Sequence, residues 1–305
     1  MNMKTIKQFS IRDLSEITGV NAVTLRAWER RYGLLKPTRT EKGHRYYTVD
    51  DVEHVRNILN WLDRGVAISK VRPLLDTEQP PADMISDDGS HWQETLQQSL
   101  GLINVFQREK LAQQMNELFA NYPLDTLARN YLTPLQDRLG NQAALRFGAT
   151  AEKIFFDSEL HTDLLARIRH ANSNNNGQRL LLMALDGQQY SIQSLLLALA
   201  FLEAGYRLHL LLNACSLREI PYIIEQASGG AALAAVICHC DSKPDVQQLE
   251  QELARAASKA HVPFFISGQW LDILPGLRTT AGTTPLDHTL RLAVSTVGTA
   301  LRKPA

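Results

Sequence analysis

Residues 9–47, FSIRDLSEITGVNAVTLRAWERRYGLLKPTRTEKGHRYY, decide how the chain is read. Ile11, Leu14 and Ile17 open the stretch at the spacing of one helix face. Thr18, Gly19, Val20 and Asn21 then break that helix. Glycine admits the backbone angles of a sharp turn, and Asn21 is suited to cap a second helix by accepting an amide hydrogen. The second helix is expected over about residues 22–32. It should bury Leu25 and Trp28 against the first and leave Thr24, Arg26, Arg30 and Arg31 facing outward. Two helices around a tight turn make a helix-turn-helix, whose second member fits a DNA major groove.

Beyond this pair, Lys36-Pro37-Thr38-Arg39-Thr40 and His44-Arg45-Tyr46-Tyr47 flank Glu41-Lys42-Gly43, a turn cluster at hairpin spacing. The hairpin would be a wing carrying Arg39, Lys42 and Arg45. Seven Lys or Arg against two acids lie between Arg26 and Arg45. The run LRAWERRYGLLKPTRT-x-x-GHRYY, followed by an aspartate-led helix, resembles the winged-helix head of MerR-type transcription regulators, over roughly the first quarter of the chain. Arg26 is expected to reach phosphate or a guanine edge, where a guanidinium fork discriminates bases, and Thr24 to touch phosphate. Arg30 joins them as a candidate contact, although it would also serve as plain surface charge. On the wing, the resemblance implies that Arg39, Lys42, His44, Arg45 and Tyr47 reach the flanking backbone, contacts that set position more than sequence preference. Trp28, Tyr32 and Tyr46 are read as core.

Across 305 residues with 44% apolar content the chain can bury a substantial core in two or three domains. Its net charge of zero hides a division: residues 1–75 hold 14 Lys and Arg against 8 Asp and Glu, net +6, which leaves −6 for the remainder. A basic head on an acidic body suits a protein that meets phosphate at one end, although chance alone would also produce such an imbalance. Three cysteines are no disulfide framework. No run reaches the ~18 apolar residues of a membrane span, and MNMKTIKQFS lacks the apolar centre of a signal peptide. These features point to a soluble cytoplasmic protein with no membrane partner.

In chain order, a winged-helix domain is expected over 1–76. Thr48 and Asp51 form a capping box for a helix carrying Val49, Val52, Val55, Leu59 and Leu62, stopped by Gly65. A shorter helix follows, capped by Ser69 and carrying Val71, Leu74 and Leu75 inward. Residues 77–90 concentrate Pro, Asp, Ser and Gly and read as a linker. Residues 91–172 carry four apolar stripes, the last from Leu145 through Ile154, Phe155, Leu160, Leu164, Leu165 and Ile168, as in an up-down helical bundle. Beyond the polar hinge at 172–177, residues 177–305 alternate apolar runs (180–185, 207–212, 231–238, 262–267) with helical stretches (189–204, 217–226, 244–260, 286–297). That grammar predicts a doubly wound, parallel α/β sheet.

A MerR-like head, a bundle and an open α/β sheet resemble the cobalamin-dependent light-sensing regulators. In that family a Glu-x-His-x-x-Gly motif follows the first sheet strand, and its histidine ligates cobalt. Here Gln188, Tyr190 and Gln193 stand at the glutamate, histidine and glycine positions, and Lys153 and Ile154 stand where the family's bundle carries a Glu-His pair. A phenol is a poor neutral ligand to this metal, and Gln193 would crowd a backbone meant to approach a large ligand. No cofactor is therefore expected. The head is also similar to that of MerR-type activators of biofilm matrix genes, whose back half is a degenerate form of the same module. Cys238, His239, Cys240 and Asp241 lie at the end of the third strand, either as a metal or redox site completed by Cys215 or His209, or as small residues of a core strand. No Gly-x-Gly-x-x-Gly or P-loop is present.

These readings converge on a sequence-specific, non-enzymatic transcription regulator. It should bind double-stranded promoter DNA at an inverted repeat as a homodimer, and the resemblance implies an activator that distorts the promoter for RNA polymerase. Residues 77–90 interrupt the family's usual dimerisation helix, so dimer contacts are expected from the bundle. Two other classes remain open at this stage: a cobalamin-gated, light-sensing repressor, and an enzyme built on the cobalamin module of methyltransferases.

Overall fold

The structure, a computed structural model, describes residues 8–39, 44–75, 90–143, 145–185, 191–211, 215–227, 232–241, 246–273 and 282–302. Lys42, Gln188 and Tyr190 lie outside the described residues, as does nearly all of the expected linker. Contacts divide the chain into two units, Met1–Glu159 and Leu160–Ala305.

In the first unit, Ser10 opens α1 (Ile11–Thr18) with a capping box. Its hydroxyl accepts from the Asp13 amide, and the Asp13 carboxylate accepts from the Ser10 amide at 2.7 Å. Leu14 and Thr18 face inward, whereas Ile17 is 43% exposed, so the apolar face of α1 is narrower than its sequence spacing implied. Gly19 turns the chain at φ +72°, a value that favours glycine, and the Asn21 side chain caps α2 (Ala22–Ala27) by accepting from the Thr24 amide at 2.8 Å. The second helix continues to Tyr32, but residues Trp28–Tyr32 form one wide π turn instead of regular α-helix.

The wing pairs β1 (Thr38–Arg39) with β2 (Arg45–Tyr46) in antiparallel register, and Phe9 and Tyr47 exchange backbone hydrogen bonds beside it. The Thr48–Asp51 capping box is present at the start of α3 (Val49–Asp63), and Gly65 follows its end at φ +89°. Val49 is exposed; the buried stripe is Val52, Val55, Ile58, Leu59 and Leu62. α4 (Ile68–Leu75) begins before Ser69, which is therefore inside the helix and not its cap.

The bundle follows as α5 (Ser90–Asn104), α6 (Arg108–Asn121), α7 (Leu124–Leu127), α8 (Thr133–Ala143) and α9 (Ala149–Asn174), with a π turn joining α7 to α8. The final helix starts at Ala149, not at Leu145. Its buried line within the first unit passes through Glu152 and Phe156, and Leu145 and Ile154 are exposed.

In the second unit five parallel strands, β3 (Arg179–Ala184), β4 (Arg207–Leu211), β5 (Leu233–His239), β6 (Phe264–Ser267) and β7 (Thr283–Pro285), run in the order β4-β3-β5-β6-β7. The helices are α10 (Ile192–Glu203), α11 (Ile220–Ala227), α12 (Val246–Ala260), α13 (Trp270–Ile273) and α14 (Leu290–Arg302). Four strands follow the apolar runs; β7 and α13 are additional to the expectation. Consecutive residues of β3, from Leu180 to Met183, are all buried, as strands covered on both faces must be. The chain moves from β3 outward to β4, then back across to β5, so the topological switch lies between the carboxyl ends of β3 and β5. Among the described residues no helix is long and apolar enough to cross a membrane.

Candidate nucleic-acid interface

The outward face of the second helix carries Val23, Arg26 and Arg30, all exposed and spaced to share one side. Thr24 does not join them. It is fully buried, and its hydroxyl has no partner, because capping by Asn21 fixes the helix in a rotation that turns this position toward the core. As a phosphate contact Thr24 is therefore withdrawn. Val23, which the sequence reading overlooked, is 63% exposed beside Arg26. Its spacing of three from Arg26 was the available signal, and an apolar side chain there can meet a thymine methyl.

On the wing, Arg39 faces Arg45 in register, so both project from one side of the ribbon. Arg39 and His44 are exposed. Arg45 is partly committed: its Nε donates to both carboxylate oxygens of Glu29, at 3.1 and 3.0 Å. Glu29, also missed from sequence, lies on the reading helix one turn from Arg26, so this ion pair clamps wing to helix. Tyr47 is a correction. Its side chain is fully buried and the phenol oxygen has no hydrogen-bond partner, since the backbone pairing with Phe9 turns the ring inward. Burial, reinforced by Glu29, raises its pKa despite Arg45 and Arg26 nearby. Of the three aromatics read as core, Trp28 is fully buried, whereas Tyr32 and Tyr46 are only partly so.

The inner side of the reading helix rests on the bundle. The Trp28 indole donates to the Asn121 carbonyl at 2.8 Å, and Arg31 donates to the Asn121 side chain at 3.2 Å. Nearby, the Ile68 amide donates to the Tyr122 hydroxyl, which also bonds His91 at 2.9 Å, and Arg129 pairs with Asp63. Burial pushes the Tyr122 phenol up to about 12. Head and bundle thus share a hydrogen-bonded junction on the side away from Arg26.

The second unit offers a different arrangement at its topological switch. His239, at the end of β5, is 4% exposed. Its Nδ1 bonds Ser267 Oγ at 2.7 Å and its Nε2 bonds Asp241 Oδ1 at 2.8 Å, with Ser191 Oγ 3.4 Å away. Burial tends to raise the pKa of Asp241, but hydrogen bonding and charge from His239, with help from Ser191, bring it below the ordinary carboxylate value. Trp270 Nε1 and Gln269 Nε2 both donate to the Asp241 carbonyl. Cys238 and Cys240 are buried in the apolar cluster, and burial raises the Cys238 thiol to about 12, far from a thiolate ligand. The described residues contain no group of three or more His, Cys, Asp or Glu placed to hold a metal ion.

Comparison with known proteins adds to this geometry. Residues 9–78 match the family model described as MerR HTH family regulatory protein. The chain is 37% identical over 131 residues to the HTH-type transcriptional regulator MlrA of Salmonella typhimurium, covering 43% of this chain and 51% of that protein. It is 29% identical over 143 residues to the HTH-type transcriptional repressor CarH of Myxococcus xanthus, covering 45% and 48%. The chain spans about half the length of the curated relatives it matches. A cobalamin-binding protein from Desulfitobacterium hafniense DCB-2 overlays with a TM-score of 0.34 at 10% identity, covering 68% of this chain and 98% of that one. At that distance the overlay decides nothing.

The residues present do not fit cobalamin. Tyrosine stands at position 190 where an imidazole would be required, and at the end of β5 both ring nitrogens of His239 are bonded to Ser267 and Asp241. A Cβ on Gly268 would lie 2.0 Å from the Cys240 carbonyl oxygen, so the ends of β5 and β6 are already in close contact.

Proposed function

We propose, from the match of residues 9–78 to the MerR HTH family, that the chain is a DNA-binding transcription regulator reading an inverted repeat as a homodimer. The observation that carries this reading is the common surface formed by Val23, Arg26 and Arg30 on the second helix with Arg39, His44 and Arg45 on the wing, clamped by Glu29. Exposed guanidinium groups on a helix and an adjacent ribbon supply phosphate neutralisation along a duplex, and Arg26 can also bond a guanine edge. Lys42, which lies between Arg39 and Arg45 in the sequence, is included in the proposal as a further cation for phosphate. Arg45 acts through its ion pair as much as by touching DNA, since it holds the ribbon at a fixed angle to the helix.

A dimer presents this surface twice, and a two-fold protein requires a symmetric operator. Activation by distorting a promoter for RNA polymerase is the mode favoured by the head's similarity to MlrA, and the biofilm matrix genes are the corresponding targets. Among the described residues, the Ser267–His239–Asp241 grouping at the sheet edge is bonded within the chain, with His239 and Ser267 buried, and it is read as structural, not catalytic. The test is selection of binding sites from random duplex DNA by the purified chain, followed by titration of the selected site at several salt concentrations. The expected result is a symmetric consensus, bound with a steep negative salt dependence that weakens on Arg26→Ala. Absence of any enriched site, or a parent and Arg26→Ala of equal affinity, would overturn the reading.

A further inference from the structure

Ten large apolar side chains are exposed among the described residues, and five of them belong to one end of the bundle: Val105, Phe106, Leu145, Phe147 and Ile154. They come from the turn after α5, the turn before α9 and the second turn of α9. Arg146 donates to Asn104 at 3.3 Å, and the Phe106 ring lies 5.1 Å from that of Phe155, so the three segments lie side by side at this end of the bundle. Phe147 is wholly exposed, and Leu145 is 80% exposed. Phe106 is held at φ +55°, a left-handed conformation that disfavours bulky side chains, and its half-exposed ring is kept at the surface there.

Together these side chains present about 600–700 Å² of apolar surface per chain, above what most monomers leave in one patch. Covered by a second copy, the area doubles to the ~1,200–2,000 Å² of a stable specific interface. The rim fits the same occupant. Arg146 pairs with Glu152, Lys153 with Asp157, and Arg108 with Glu159. These three pairs, with Glu109 and Lys110 exposed beside Arg108, leave the rim mixed in sign, so the surface meets itself across a two-fold axis without opposing two patches of one charge. An unmatched rim would instead favour an oppositely charged partner.

The location is also suitable. α6 begins beside the patch at Arg108 and ends at Asn121, where it receives the Trp28 indole. Its 14 residues place those ends about 20 Å apart. A copy seated on the patch therefore leaves Arg26 and the wing open.

We propose that this end of the bundle is the surface through which two copies of the chain associate, with Phe147 nearest the two-fold axis. The proposal rests on the symmetric-dimer part of the function above, and its test uses no DNA, so its failure is separable from failure of the head to bind. Sedimentation of the full chain across micromolar concentrations should show a monomer–dimer equilibrium. Leu145→Glu with Phe147→Glu should raise the dissociation constant about 100-fold while leaving unchanged the melting temperature measured in dilute solution, where parent and variant are both monomers, since neither side chain is packed. If the charged pair alters the melting temperature, Phe147→Cys takes its place: mild oxidation should yield a covalent dimer, which the parent chain and Val23→Cys should not. A parent that stays monomeric throughout, a dimer indifferent to the charged pair, or a Phe147→Cys chain that resists cross-linking would overturn the proposal.

Discussion

The head and the α/β unit each carry a polar cluster where folds of their kind meet ligands, and the two clusters are built in opposite senses. In the head, Arg26, Arg30 and Arg39 are exposed, and an internal pair, Glu29–Arg45, sets only the angle of the wing. At the sheet edge, His239 is buried and both ring nitrogens are already bonded to the chain's own Ser267 and Asp241. Solvated cations gain by meeting phosphate, because counterions are released. A satisfied buried network gains nothing from a visitor and loses its bonds when opened. The first arrangement awaits a partner; the second holds a fold together.

The largest expected effect attacks the head's foundation. Trp28→Ala removes a fully buried indole and its bond to the Asn121 carbonyl. Loss of about 3–5 kcal/mol is expected in urea unfolding of the first unit. A loss under about 1 kcal/mol would mean that the reading helix does not depend on this junction.

A paired experiment breaks the comparison directly. His239→Ala leaves Ser267 and Asp241 without their partner in a buried setting, and should lower the stability of the α/β unit by about 2–3 kcal/mol. DNA affinity of the head should be unchanged. Arg26→Ala should do the reverse, with no shift in melting temperature and a loss of about 10–100-fold in affinity for the selected site. If His239→Ala instead spared stability, the sheet edge would be an open site and the contrast would fail.

Smaller still is the effect of loosening the wing. Glu29→Gln keeps the shape but removes the charge that holds Arg45, and the pair is half-buried. About 1 kcal/mol, or roughly fivefold in DNA affinity, is expected, because the freed guanidinium recovers part of the loss by meeting phosphate itself. Fluorescence anisotropy at fixed salt measures it. Tighter binding by Glu29→Gln than by the parent would show that Glu29 restrains the wing more than it orients it.

Much of this contrast was legible in the sequence, and where it was not, the reasons are physical. Asn21, the Thr48–Asp51 box, and the buried Leu25 and Trp28 follow from rules acting within one turn of helix. Thr24 and Tyr47 were misplaced because their burial depends on helix rotation and on the pairing of Phe9 with Tyr47, 38 residues apart in the chain. Four strands announce themselves as apolar runs, whereas β7 is three residues, Thr-Thr-Pro, with no pattern to read. In the sequence His239 reads with Cys238, Cys240 and Asp241 as a metal or redox site or a core strand; its buried network is not legible there, because Ser267 and Ser191 come from 28 and 48 residues away.

The smallest expected effect concerns acid. The Asp241 carboxyl lies below its ordinary value of 3.8, chiefly because His239 and Ser191 bond its charged form and outweigh the opposing effect of burial. A depressed carboxyl contributes stability that is fully present above the unfolded value and is lost as pH falls through the lower, folded one. The α/β unit should therefore hold a level stability contribution from this group above about pH 4 and lose it in more acidic solution. The Trp270 indole, bonded to the Asp241 carbonyl, supplies the local signal, isolated as the difference from a Trp270→Phe chain. Asp241→Asn should flatten that acid slope while leaving the head's DNA binding at neutral pH untouched. An unchanged slope would assign the acid sensitivity to other carboxylates and reduce the sheet-edge network to His239 and Ser267.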